Sequence, residues 1–173
     1  MAFITVVVAA EPRHQALCRR SLERERGIAV AAEAPPGAGA LALAARLRPD
    51  VLLLDFTRAR LDVVAGLPGI RHRAARTRVL LLTTPHTAET LILEALNRGA
   101  RGYLDDAAIP ALLGRAVRAL HAGEAWVPRR MVSKLLDRLL RLAEAERKAR
   151  RAAAPGARRR SSAHAPLRRE VAP

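Results

Sequence analysis

The sequence predicts an α/β protein built on one doubly wound, five-stranded parallel sheet, and three observations carry that expectation. Short apolar runs alternate with longer helix-like runs five times before Gly123. The connections between them are short. The inner runs, such as "VLLLD" (Val51–Asp55), are apolar at consecutive positions and bounded by turn-prone residues, the pattern of a strand covered on both faces.

In chain order, Phe3–Ala9 reads as the first strand and Pro12–Glu25 as the first helix, with proline at its start. Ile28–Ala32 is a β-rich run, and Pro36–Leu47 an Ala/Leu-rich helix. Val51–Asp55 forms the third strand and Val63–Ala74 a weaker helix. Thr77–Thr84 is the fourth strand, and the helix from Glu89 closes at Gly99. Arg101–Leu104 is a short fifth strand, followed by a fifth helix from Ile109 that Gly123 closes.

Composition limits what such a chain does. With 173 residues, half of them apolar, it forms one domain plus an appendage. Aromatic residues make up 2%, so the core is aliphatic and the stacking platforms of single-strand nucleic-acid binders are missing. The single cysteine, Cys18, excludes an internal disulfide and a cysteine-based zinc cluster, and reads as a core residue rather than a nucleophile. The apolar start "MAFITVVVAAEP" is too short to span a bilayer and unlike a signal peptide, so the expectation is a cytoplasmic protein with no membrane partner.

Charge divides the chain. Nine Arg or Lys and a single acid, Glu170, fall between positions 147 and 173, so this stretch holds +8 of the formal +15. Its small, Pro- and Ser-bearing composition reads as a disordered tail over 153–173, whose basic run offers a route to nucleic-acid phosphates. Residues 1–126 form the α/β domain. Residues 127–152 form an appended amphipathic helix whose Val132, Leu135, Leu139 and Leu142 share one seam, flanked by Leu136 and Leu140. That seam suits a homodimer as well as it suits a helix folded back on its own domain.

Asp55 ends a buried strand, and parallel sheets place their ligands beyond the C-terminal ends of their strands. An aspartate there also turns the chain or caps a helix. The neighbouring segments decide between these roles: "SLERERGIAVAAEA", "LRPDVLLLDF", "VLLLTTPH", "NRGARGYL" and "HAGEAWVPRRM", in this order. Together they resemble the receiver domain of bacterial response regulators, in the subfamily whose output is a LuxR-type helix-turn-helix. The resemblance runs from Ile4 to about Arg138. It implies a flavodoxin-like sheet of order 2-1-3-4-5 and a two-component phosphorelay role. It also implies a phosphoacceptor at Asp55, with Thr84 and Tyr103 as the switch pair.

The departures from that family fall on its chemistry. The resembled receivers hold Mg2+ on two acids after the first strand, and the matching positions here are Ala9 and Ala10, with Glu11 one step outside. A methyl group does not coordinate a hard cation. The lysine that grips the phosphoryl oxygen is replaced by Asp106, expected to face and repel Asp55. The loop after Asp55 carries Arg58, Ala59 and Val63 where the family has a Met-Pro turn and a glycine. Phosphoryl transfer is mostly electrostatic positioning, so losing the positive groups predicts a pseudo-receiver that is not an enzyme, with no cofactor and no metal. The alternative is a working Asp55, with Mg2+ or with Glu11, Asp55 and Asp106 as substitute oxygen ligands. His14 and His86 read as surface histidines.

The leading expectation is therefore an atypical receiver acting by protein–protein interaction, through the surface of its fourth and fifth helices, with a sensor histidine kinase or another regulator as partner. Nucleic-acid binding by the tail, as in a truncated transcriptional regulator, is the second. The closing "PLRREVAP" resembles the opening of the family's DNA-binding domain but is too short to form one. An enzyme ranks last, because the sequence offers no Gly-rich phosphate loop, nucleophile elbow or metal-ligand cluster.

Overall fold

A computed structural model describes residues 3–57 and 61–153. Five strands, β1 (Ile4–Ala9), β2 (Ile28–Ala34), β3 (Val51–Asp55), β4 (Arg78–Thr83) and β5 (Ala100–Asp105), make one parallel sheet of order β2-β1-β3-β4-β5. Helices α1 (Pro12–Leu22), α2 (Ala38–Leu47), α3 (Leu61–Arg73), α4 (Glu89–Asn97) and α5 (Ile109–His121) follow the strands, and α6 (Arg129–Ala153) is appended. The doubly wound sheet of order 2-1-3-4-5 expected from the resemblance is the fold observed.

Each central strand is buried on both faces, and side chains alternate between them. Val6, Val8, Val51, Leu53, Leu80 and Leu82 join Cys18 and Leu22 of α1 and Leu113, Val117 and Leu120 of α5 in one cluster. On the opposite face α2 and α3 pack together, burying Leu41, Ala44, Val63, Leu67 and Ile70. A fully buried leucine contributes about 1.5–3 kcal/mol, so this largely aliphatic core needs little aromatic mass beyond the buried Phe56 and Tyr103. The strand starts are tied by polar bonds: the Thr5 hydroxyl donates to Asp50 Oδ2 at 2.8 Å, and the Asp50 amide donates back to Thr5 Oγ1 at 3.1 Å.

Trp126 lies alongside the edge strand β5. Its amide donates to the Arg101 carbonyl and its carbonyl accepts from the Tyr103 amide, both at 3.1 Å. The two segments can approach because Gly102 has no side chain; a Cβ there would run into the Trp126 carbonyl oxygen. Met131, in the first turn of α6, is buried as well. The first compact unit therefore extends to Ser133, past the expected boundary at 126, and the second begins at Lys134. Other ends shift by a few residues: α1 stops at Leu22 rather than Glu25, and β2 continues to Ala34. The expected disordered tail lies almost wholly outside the described residues. No helix among the described residues is long and apolar enough to cross a membrane.

Candidate functional site

β3 delivers Asp55 to the C-terminal edge of the sheet, between β1 and β4. Its carboxylate is nearly closed off from solvent, at 3% exposure, and both oxygens are engaged. Oδ1 accepts from the Thr57 amide at 3.0 Å and from the Thr57 hydroxyl at 2.6 Å. Oδ2 accepts from the Glu11 amide at 3.2 Å and sits 2.8 Å from His14 Nδ1. Burial alone would raise the Asp55 pKa. The hydrogen bonds from Thr57, His14 and the Glu11 amide outweigh it and hold the carboxyl below its ordinary value. The group is therefore a carboxylate at neutral pH.

His14 is the main correction to the sequence reading, which placed it on the surface. It is buried, at 8% exposure, because Pro12 starts α1 at the sheet edge and the helix turns His14, Cys18 and Leu22 inward along one stripe. That spacing of four was the signal in the sequence. The ring meets Asp55 through Nδ1, and its Nε2 lies 3.4 Å from Asp106 Oδ2. This second approach is within ion-pair range but is not aligned as a hydrogen bond, which leaves Nε2 buried without a hydrogen-bond partner.

Asp106 opens the short 3-10 turn Asp106–Ala108 between β5 and α5. It was expected to confront Asp55 directly; the His14 ring instead contacts both carboxylates. Its neighbour Asp105 has a structural role, accepting from the Ala107 amide at 3.0 Å and so capping that turn.

Ala9 and Ala10 are fully buried at the end of β1, and the side chain of Glu11 is exposed. Oxygen ligands are thus missing where the resembled family holds Mg2+, and the Asp55 oxygens already face donors from the chain. The residues present do not fit that ion. Among the described residues no group of three or more His, Cys, Asp or Glu side chains is placed to hold a metal, so the alternative set Glu11, Asp55 and Asp106 does not form one. Arg58 and Ala59 lie outside the described residues, while Val63 is buried in the core.

The expected switch positions lie just past β4 and on β5. Thr84 is half-buried just past β4; its amide donates to Thr87 Oγ1 at 3.0 Å, and the two hydroxyls are 3.3 Å apart. The sequence reading passed over Thr83, which ends the strand, is 2% exposed and donates its hydroxyl to the Leu104 carbonyl at 3.3 Å. Tyr103 is buried, at 7% exposure. The two threonines and Tyr103 line a cleft of about 590 Å³, walled by Ile92 of α4, Leu112 of α5, Trp126 and Met131. His86 is exposed, as expected. Cys18 is buried in the core, where burial first, then the charges of Asp55 and Glu33, push its thiol to about 12 and keep it protonated.

Comparisons with known proteins agree with this fold. Residues 5–117 match the response regulator receiver domain. The nitrate/nitrite response regulator protein NarP of Escherichia coli is 31% identical over 136 residues, covering 79% of this chain and 63% of that protein. The transcriptional regulatory protein YxjL of Bacillus subtilis is 30% identical over 123 residues, covering 71% and 56%. The chain thus spans somewhat more than half the length of these relatives. Among solved structures, the receiver domain of the response regulator NarL from Mycobacterium tuberculosis superposes with a TM-score of 0.65 at 30% identity, covering 72% of this chain and all of that one. A LuxR-family regulator from Aurantimonas gives 0.65 at 26% identity, covering 81% and 99%. With its sheet order, its strand-end aspartate and a match over most of its α/β unit, the chain belongs to the response regulator receiver family, alongside regulators of the LuxR and NarL type.

Proposed function

We propose that this receiver is a phosphorylation-impaired signalling module that acts by binding another protein. The observation that carries the reading is the saturation of Asp55: donors from Glu11, His14 and Thr57 occupy both oxygens of a nearly inaccessible carboxylate. A phosphoacceptor must present a free oxygen to phosphorus, with positive charge to offset what develops on the phosphoryl group. Here the metal-binding positions are alanines and the lysine position is Asp106.

Binding falls to the face of α4, β5 and α5. The cleft beside Thr83, Thr84 and Tyr103 opens there and offers the partly exposed Leu112 and Trp126 as apolar contacts over a floor that includes the buried Ile92 and Met131. The partner is a sensor kinase or another regulator. Beryllofluoride, a phosphoryl mimic, tests the reading. With Mg2+ it should leave the amide NMR spectrum of the protein unchanged, and Asp55-dependent binding at micromolar Mg2+ would refute the proposal.

A further inference from the structure

The pocket lacks the groups that would seat Mg2+, yet it places two carboxylates, Asp55 and Asp106, around one buried ring. We propose that His14 is the resident cation of this pocket: its imidazolium bridges Asp55 and Asp106 and ties α1, β3 and the β5–α5 turn together where relatives use a divalent ion. The inference rests on the reading that Asp55 is not a working phosphoacceptor.

The argument is one of proton count. A neutral imidazole has one N–H, and Asp55 claims it at Nδ1, 2.8 Å away. Nε2 is then a lone pair buried 3.4 Å from a carboxylate oxygen, where lone pair faces lone pair. A second proton on Nε2 turns that unfavourable approach into a charge-assisted hydrogen bond after a closure of a few tenths of an ångström. Asp106 can make that movement, because its side chain is 22% exposed at the start of a short turn.

Other charges near the ring are committed elsewhere. On α1, Cys18 stays a neutral thiol. On β2, Glu33 is paired with Arg19 at 2.7 Å. On α5, which packs against α1, Arg118 is paired with Glu25 at 2.8 Å. Glu11 points to solvent, and the Asp105 carboxylate caps its own turn. Asp55 and Asp106 are the ring's two ionic contacts among the described residues.

The test is nitrogen NMR of the full chain with labelled histidine, in EDTA at neutral pH, the His14 signals assigned by their loss in His14→Gln. Two protonated ring nitrogens are expected in the wild type. Asp106→Asn, a change near the surface that preserves the fold, should remove the proton from Nε2 and leave Nδ1–H intact. His14→Gln should lower the urea midpoint, and adding Asp106→Asn to it should lower the midpoint no further. A wild-type ring with one proton, or an Nε2 proton that persists in Asp106→Asn, would overturn the proposal. Acetyl phosphate, with mass spectrometry of Asp55, is the separate arm: a phosphorylated Asp55 defeats the reading of an impaired receiver, whereas the ring-proton result bears on His14 alone.

Discussion

Asp55 shows how one buried side chain at a strand end joins several elements through its hydrogen bonds. Its pKa is lowered by hydrogen bonds in the folded state, so it contributes stability above its unfolded value, near 4, and loses that contribution as pH falls through the lower folded value. Asp55→Asn should therefore be less stable than the wild type at neutral pH by about 1–3 kcal/mol, with the gap shrinking below about pH 4. Urea unfolding at a series of pH values measures this. The proposed loss of the phosphorylation trigger is testable by repair. Ala9→Asp and Ala10→Asp supply metal oxygens, and Asp106→Lys supplies the positive group, so the triple variant should gain Mg2+-dependent beryllofluoride binding that each single variant lacks. A folded triple variant that stays inert would show that the loop after Asp55 or the His14 contact blocks the site. The alanines and Asp106 were legible in the sequence because absence of a donor is a property of residue type. His14 was not, since its role depends on which groups three separate elements bring to it.

At the scale of elements, the edge of the sheet depends on a glycine. Gly102 lets the Trp126 backbone lie against β5, and Gly102→Val would drive a branched side chain into that backbone. The expected cost is about 2 kcal/mol or more, read as a lower thermal midpoint. Loss of the Trp126 fluorescence signature of the native state should accompany it. The appended helix α6 leaves a different problem unsolved: Val132, Leu136, Leu139, Leu140 and Leu142 are all more than 40% exposed, while Leu135 is partly covered. Nine basic and three acidic side chains occupy the same helix. A second copy covering the seam through Val132, Leu135, Leu139 and Leu142 would remove that apolar surface from water. Leu135→Glu with Leu139→Glu should then turn a dimer into a monomer in sedimentation, with the helical circular dichroism preserved. A dimer that survives both changes must use the face of α4, β5 and α5. The pattern of leucines made this helix readable in advance, whereas the pairing of Trp126 with β5 and the inclusion of Met131 in the first unit were not, because a single-residue bridge leaves no periodic trace.

The whole molecule consists of two units of different character. The first holds the sheet and its two layers of helices, and it reaches Ser133. A chain ending at Ser133 should fold with a thermal midpoint within a few degrees of the full chain, whereas one ending at Gly123 should melt lower, because it loses the Trp126 bridge and buried Met131. Calorimetry of the two truncations measures the difference. By itself the sequence determined the doubly wound sheet, the strand-end position of Asp55 and the absence of the metal-binding acids and the lysine, since apolar runs, turn residues and side-chain chemistry are local properties. Only the tertiary structure decided that donors from Glu11 and His14 join the local bonds of Thr57 on Asp55, that a buried imidazole contacts both Asp55 and Asp106, and that Thr83 is the sealed hydroxyl at the end of β4. These depend on distances between residues up to about ninety positions apart in the chain, which the packing of helices on the sheet sets and no local pattern encodes.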